Sequence, residues 1–563
     1  MASRAIDSFE SASQGNSVGF TRSSRTCLAT EVYVRPYLSL IFFTHYSLHM
    51  AFSTVAYTGL AGVALYVVSH WWNNRIPRGL KRPPGPPGRL LIGNLLDLPK
   101  SKEWVTFDRW AKEYGDLCYL SMPGASILFV NSHELAKELF DKRGSIYSGR
   151  YQSTVLNDLI KLDWAMVFAQ YGERWRRNRT YFHQFFNQTA VENYHDIQLK
   201  YTKVLLKRLY HSPEDYRTHV RYISGASILE VSYGIQPMSE TDPFIVLSET
   251  TIQRATEAGI PGTYLVDIFP FRTKFQTELG QLGEQVIEML NKPVEVAKNN
   301  MRNGRPSMVS ALIETFENDP NRPDDYEDLI KHVPGVAYIA AVDTVSAQNE
   351  KPSLSLILYT KSNGILLQFF HMMLLHPEVQ KRAQEELEEV VGPGALPSFK
   401  DFGKLKYVRA IFLELLRCNT VVPIAVPHVL NVDDVVNGYF IPKGTIVFGN
   451  SWTLLRSKSL YGPDADKFNP ERFLDERTPY PDFAFGYGRR ACPGQYFGEN
   501  SILITIANVL HLFHILPFEG ENGPELPAED HFDSGVILKP KPFKCRIIPR
   551  SPGAAKTLEE LDH

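Results

Sequence analysis

The segment Phe485-Gly486-Tyr487-Gly488-Arg489-Arg490-Ala491-Cys492-Pro493-Gly494 constrains this chain more than any other. A single cysteine stands among three glycines and two arginines, just ahead of a stretch, Glu499–Leu512, with the apolar spacing of a helix. Gly486, Gly488 and Gly494 lack a Cβ, so the backbone can approach the sulfur and aim amide N–H groups at it. A helix beginning just after Cys492 adds the positive end of its dipole. An electropositive, water-poor niche of this kind keeps sulfur as thiolate, whose charge would otherwise attract a proton. Phe485 is placed to shield that face. The alternative is a purely structural cysteine in a Gly-rich turn.

The rest of the composition permits such a niche. Of 563 residues, 44% are hydrophobic and 22% charged, enough for a large core that encloses a cofactor. Lys plus Arg (60) nearly balances Asp plus Glu (62), so no bulk charge points to nucleic acid. Cys27, Cys118, Cys418, Cys492 and Cys545 are sparse and irregular, neither a disulfide framework nor a zinc CxxC pattern. They fit a reducing compartment.

Residues 1–49 are rich in small polar residues and read as a disordered tail or as an extension from gene prediction, with Met50 as the start. From 36 to 74 there is no Asp, Glu, Lys or Arg. Residues 50–74 are expected to be a single transmembrane anchor, since Ala51–Trp72 is about long enough to cross ~30 Å of hydrocarbon. Arg75, Arg78, Lys81 and Arg82 follow and place the next segment in the cytosol. A buried soluble helix is the competing reading. Pro83-Pro84-Gly85-Pro86-Pro87-Gly88 completes a basic, stiff hinge over 75–88. Beyond it the chain reads as one domain, 89–550, mainly α with small β-sheets, followed by a tail at 551–563. Helical spacing covers Ser362–Val391, Lys404–Cys418 and Glu499–Leu512; Gly438–Asn450 and Val536–Ile548 look like short strands.

The cysteine segment matches F-x-x-G-x-R-x-C-x-G and resembles the cysteine loop of the cytochromes P-450. Other segments agree in order. Trp175-Arg176-Arg177-Asn178-Arg179 is similar to the family's W-x-x-x-R, Glu414-Leu415-Leu416-Arg417 to its E-x-x-R, and Pro470-Glu471-Arg472-Phe473 to its P-E-R-F. The resemblance implies the cytochrome P-450 fold, a helical haem domain with a minor β-rich subdomain. It implies haem b held by Cys492 as axial iron ligand, with Phe485, Gly488 and Gly494 shaping the loop. Arg490, Trp175 and Arg179 would donate to the haem propionates. His428, closing Pro423-Ile424-Ala425-Val426-Pro427-His428, is either a further propionate donor or a plain core histidine. Glu414, Arg417 and Arg472 would form a buried charged network that braces the loop.

Ala340-Ala341-Val342-Asp343-Thr344-Val345 resembles the family's oxygen-binding helix, with Ala341 where glycine is usual. The resemblance gives Thr344 and Asp343 the role of a proton relay. Residues 348–365 then interrupt an apolar helical pattern with Pro352 and Asn363-Gly364, which are helix breakers. They read as a retained intron translated in frame or as a genuine insertion, looped out from about Gln348 to Gly364 between two recognisable helix halves.

The function implied is a monooxygenase that inserts one atom of O2 into a small lipophilic substrate, in fungal secondary metabolism. Electrons would come from NADPH through a separate NADPH–cytochrome P-450 reductase, with cytochrome b5 as a second donor, on the endoplasmic-reticulum membrane with the catalytic domain facing the cytosol. Apolar stretches at Ser145–Phe168, Val422–Val426 and Ser534–Leu538 are the expected pocket walls. Two other readings stay open: a haem-thiolate isomerase or dehydratase, which needs no proton relay, and an inactive haem-binding membrane protein produced by the insertion. A carbon-monoxide spectrum followed by NADPH consumption separates them.

Overall fold

The computed structural model describes residues 76–90, 92–258, 274–341, 361–521, 523–533 and 537–561, with Tyr57 and Gly62 as isolated positions. The chain divides between Arg75 and Ile76 into two units, and all described residues but those two belong to the second. No helix among the described residues is long and apolar enough to cross a membrane. The extension 1–49 and, but for Tyr57 and Gly62, the anchor expected at 50–74 lie outside them.

Helices dominate, as the 3.6-residue spacing implies. In chain order they are α1 (Glu103–Tyr114), α2 (Glu173–Phe186), α3 (His195–His211), α4 (Tyr216–Tyr233), α5 (Pro243–Ala258), α6 (Lys274–Arg302) and α7 (Met308–Glu317). There follow α8 (Tyr326–Ala341), α9 (Lys361–Leu375), α10 (Pro377–Val390), α11 (Lys406–Cys418), α12 (Gln495–Leu512) and α13 (Pro552–Glu560). Helix α11 is buried from Ala410 through Cys418 and α12 from Ile502 through Leu512. Helices apolar on every side belong in a core, and α12 packs against α3, α9, α10 and α11. The start of α11 is also pinned electrostatically: Tyr407 and Val408 donate their backbone N–H groups to the Glu386 carboxylate at 2.7 and 3.0 Å. That satisfies orphan donors at a helix N-terminus.

The strands are β1 (Leu117–Met122), β2 (Ala125–Val130), β3 (His428–Val429), β4 (Asp434–Val436), β5 (Tyr439–Ile441), β6 (Ile446–Gly449), β7 (Phe513–Gly520), β8 (Gly523–Glu525) and β9 (Cys545–Pro549). They form a sheet of order β1-β2-β6-β3, a β4-β5 hairpin and a sheet of order β8-β7-β9. The parallel β2–β6 pair joins Ile127 to Ile446, and alternate residues of β2 enter two apolar clusters, Leu128 and Val130 the larger and Ile127 and Phe129 the smaller. Trp104, Phe107 and Trp110, at spacing three along α1, pack onto Phe129, with the Phe107 and Phe129 rings 4.3 Å apart. This is the minor β-rich part of the fold.

Several expectations need correction. The helix at Ser362–Val391 is two helices, because Pro377 has no N–H to continue the first. Of Val536–Ile548, described from residue 537, only the end from Cys545 is strand among the described residues. Asn363-Gly364, expected to break the helix, lies inside α9. A Cβ on Gly364 would meet Val421 at 2.9 Å, so the glycine admits a close helix–loop contact, and such docking outweighs its cost of roughly 1 kcal/mol in propensity. Both halves, α8 and α9, are recognisable, while residues 342–360 lie outside the described ones. The 75–88 segment is no free hinge over its described part. Phe440 donates to Lys81 O and Tyr119 to Pro84 O, both at 2.8 Å, and Arg82 reaches the Tyr119 hydroxyl at 2.6 Å. Residues 551–563, set apart as a tail, contain α13, which buries Ala554 and Leu558 against α3, α12 and β9.

Candidate active site

Cys492 lies in the turn immediately before α12 and lines a cavity walled by α2, α4, α8, the loop around Arg150–Val167 and the segment Val422–His428. Among the described cysteines it alone does so. Burial pushes Cys118 and Cys545 up to about 12 and also raises Cys418, so those thiols stay protonated. The loop is held from behind. The Cys492 N–H donates to Phe485 O at 2.8 Å, and Phe485 itself is buried in the cavity wall. Gly488 has φ +50°, and a Cβ there would sit 2.1 Å from Phe140 O, so no other residue fits without moving the backbone. The Tyr487 hydroxyl, wholly buried, lies 2.8 Å from Ser451 Oγ, which donates to Phe483 O at 3.0 Å. Gly494 caps α12, and a Cβ built on it meets nothing within 4 Å.

Cationic groups gather on the cavity wall. Trp175 and Arg179, four residues apart on one face of α2, both line it. Arg179 forms no side-chain hydrogen bond or ion pair among the described residues; burial lowers its pKa, and the Cys492 sulfur is the partner that offsets this. Arg490 donates to Ser148 O (2.8 and 3.1 Å), Met166 O (3.0 Å) and Ala169 O (2.9 Å), and its guanidinium lies 4.6 Å from the Trp175 ring centroid. The one N–H of Trp175, expected to face a propionate, donates to Met166 O at 3.0 Å instead, so the indole braces Arg490 and its loop. His428 is also buried. Its Nδ1 donates to Tyr147 O at 2.6 Å, which leaves Nε2 as an acceptor while the ring is neutral. Burial, with Arg150 and Arg490 nearby, depresses its pKa well below the ordinary histidine value.

Glu414, Arg417 and Arg472 come together as the expected charged network. Arg417 and Glu414 are wholly buried and doubly bonded, both contacts at 2.7 Å. Arg472 Nε reaches the same carboxylate at 3.2 Å, and the Asn469 N–H at 2.7 Å. Arg417 also donates to Leu455 O, Ala465 O and Lys467 O. Every charge has a partner in place, which a buried ion pair requires. Asp343 and Thr344 lie outside the described residues.

Sequence reasoning missed Arg150, which lines the cavity and donates to Val167 O at 2.9 Å and Pro427 O at 2.7 Å. It also missed the α2 and α4 walls, Phe182, Phe186, Ser224, Ser227 and Ile228. Of the expected walls, the first two contribute; of the third, Ile537 and Leu538 do not, because the Leu538 N–H is tied back to Val421 O.

A thiol just before a helix, with Arg150, Arg179 and Arg490 lining the same largely apolar cavity, defines a mainly helical protein with an enclosed ligand site. The cytochrome P450 family model matches residues 83–547, and the chain belongs to that family. A cytochrome P450 monooxygenase of Coprinopsis cinerea is 35% identical over 517 residues, covering 88% of this chain and 94% of that one. Another, of Rhodocybe pseudopiperita, is 35% identical with 87% and 94% covered. Tryptamine 4-monooxygenase of Psilocybe cyanescens is 33% identical with 89% and 98% covered. The protein is a P450 monooxygenase, and the family's cofactor is haem.

The residues present fit that group. The guanidinium of Arg179 is desolvated beside the cavity without an internal carboxylate, the backbone at Gly494 leaves open space, and Cys492 supplies the soft anionic donor that iron takes from a thiolate.

Proposed function

We propose that Cys492 would ligate the iron of haem b, and that the enzyme inserts one atom of O2 into a small lipophilic substrate of fungal secondary metabolism. The observation that carries this reading is the position of Cys492: the one described cysteine on the cavity, just before α12, sharing that cavity's wall with Arg179 and Arg490. Bound haem supplies oxygen activation, assisted by electron donation from its thiolate ligand. The chain's own residues do the rest. Arg179 and Arg490 offset the propionate charge, and Trp175 holds Arg490 in line. Phe485 and the loop glycines shape the backbone around the sulfur, and Phe485 O holds the Cys492 N–H. Thr344 and Asp343 carry protons toward the reacting oxygen, a role that rests on their sequence alone. Val336, Ala337, Ile339, Val422 and Val426 make the cavity wall apolar, which supports a lipophilic substrate.

Electrons come from NADPH through a membrane-bound reductase, with cytochrome b5 as a second donor. Residues 50–74 anchor the domain in the endoplasmic-reticulum membrane, facing the cytosol; the uncharged run and the basic cluster after it support this. The test is the carbon-monoxide spectrum of the reduced protein. Wild type should show the red-shifted band of thiolate ligation, and Cys492→Ser should lose it while keeping its fold by circular dichroism. A variant that absorbs like wild type removes the assignment.

A further inference from the structure

We infer that Tyr147 is a positioning residue, whose moored side chain sets where the basic side chains His428 and Arg490 of the haem cavity point. This rests on the haem reading above and adds to it a residue that no motif marks.

The run Tyr147-Ser148-Gly149-Arg150 is a hub of backbone acceptors. Tyr147 O accepts from His428 Nδ1 at 2.6 Å. Ser148 O accepts from Arg490 Nη2 and Nε at 2.8 and 3.1 Å. Gly149 O accepts from the Val429 N–H at 3.0 Å, and Arg150 O from Gln170 Nε2 at 2.7 Å. The Arg150 side chain itself reaches Val167 O and Pro427 O. Two basic side chains of the cavity wall, His428 and Arg490, from distant stretches of sequence, therefore take their orientation from this run, and a third, Arg150, belongs to it.

Such a run must be fixed in its turn. Gly149 lies flush on β3: a Cβ there would stand 2.4 Å from Asn431 Oδ1 and 2.6 Å from Val429 O. The other anchor is Tyr147. Its side chain is wholly buried, and its hydroxyl donates to Asp434 Oδ2 at 2.9 Å. Asp434, on β4, is in turn held by Arg143 Nη1 at 2.8 and 2.9 Å, and Arg143 reaches Glu138 at 2.6 Å. Burial and the adjacent Asp434 carboxylate raise the phenol pKa, so the hydroxyl keeps its proton and remains a donor. The backbone face of Tyr147 thus meets the site while its side chain is tied to a half-exposed ion pair outside it. Groups that orient a ligand-holding side chain are felt in ligand affinity although they never touch the ligand.

Tyr147→Phe removes only the hydroxyl and keeps the ring and the carbonyl. Haem-loaded full-length protein is mixed with excess apomyoglobin, and the rate of haem transfer is read together with the ferric/ferrous potential. The expected result is roughly tenfold faster transfer and a shifted potential, the lower range for loss of an outer-shell partner. Asp434→Asn should act in the same direction, and it decides the matter if Tyr147→Phe does not fold. Tyr201→Phe is the control, since that buried hydroxyl donates to Glu230 at 2.7 Å on α4 and touches no cavity cation. It should lower stability without changing transfer. Unchanged transfer and potential in both Tyr147→Phe and Asp434→Asn, or an equal change in Tyr201→Phe, overturns the inference. Failure of the wild type to take up haem with a thiolate spectrum would instead overturn the haem reading.

Discussion

Arg417 and Arg179 are the same residue type, both enclosed by protein, and they do opposite things. Burial opposes the charge of each. At Arg417 the hydrogen bonds and charge of Glu414 more than reverse that penalty and its pKa is raised. At Arg179 only the Cys492 sulfur offsets it, and the pKa is lowered. One region neutralises its charges internally and is finished when the chain folds. The other keeps a largely desolvated cation beside a cavity, with no carboxylate to pair it among the described residues. Arg417 sits in a closed charge network, whereas Arg179 is partly exposed to the cavity and carries its charge without a carboxylate partner among the described residues.

The sharpest way to break this comparison is to unpair Arg417. Glu414→Ala should cost about 3–5 kcal/mol, the usual penalty for stranding one member of a buried ion pair. Urea denaturation would show it as a lower midpoint, and replacing Glu414 and Arg417 together by apolar residues should recover much of the loss. A cost below about 1 kcal/mol, the range of exposed pairs, would mean the network is not a brace.

A second test uses a buried group with no counter-charge at all. His371 is wholly buried, and burial chiefly lowers its pKa to about 4. The unfolded ring titrates near 6.5, so between about pH 6.5 and 4 the unfolded state holds a proton that the folded state refuses. Stability should be full above pH 6.5 and fall by about 1.4 kcal/mol per pH unit as pH drops through that window. His371→Gln should flatten this dependence by one proton. A variant with the wild-type slope would show that other groups carry it.

The smallest effect is expected at Arg179. Arg179→Met should change the stability of the haem-free protein by no more than ~1 kcal/mol, since no ion pair is broken and a desolvated charge is removed. Haem retention should fall. A large loss of apo-protein stability would place Arg179 with Arg417 and dissolve the distinction.

Much of this site was legible in one dimension because its parts are spaced by local geometry. The glycine positions around Cys492, the i,i+4 pair Trp175 and Arg179, and the i,i+3 pair Glu414 and Arg417 each lie within a turn or two of chain. The helices α11 and α12 were legible for the same reason. What could not be read is where polar atoms spend their hydrogen bonds. The Trp175 N–H goes to Met166, the His428 Nδ1 to Tyr147, and the Tyr147 hydroxyl to Asp434, 287 positions away.

The sequence alone determined the close groupings, three glycines around Cys492, Trp175 four residues before Arg179 and Glu414 three before Arg417, because spacing along a helix or turn is set by covalent geometry. Only the tertiary structure decided which cations would reach the cavity, and that Arg150 and Tyr147 belong with them. Those contacts close loops of hundreds of residues, and only the packing of the whole core, not any local preference, selects one such closure.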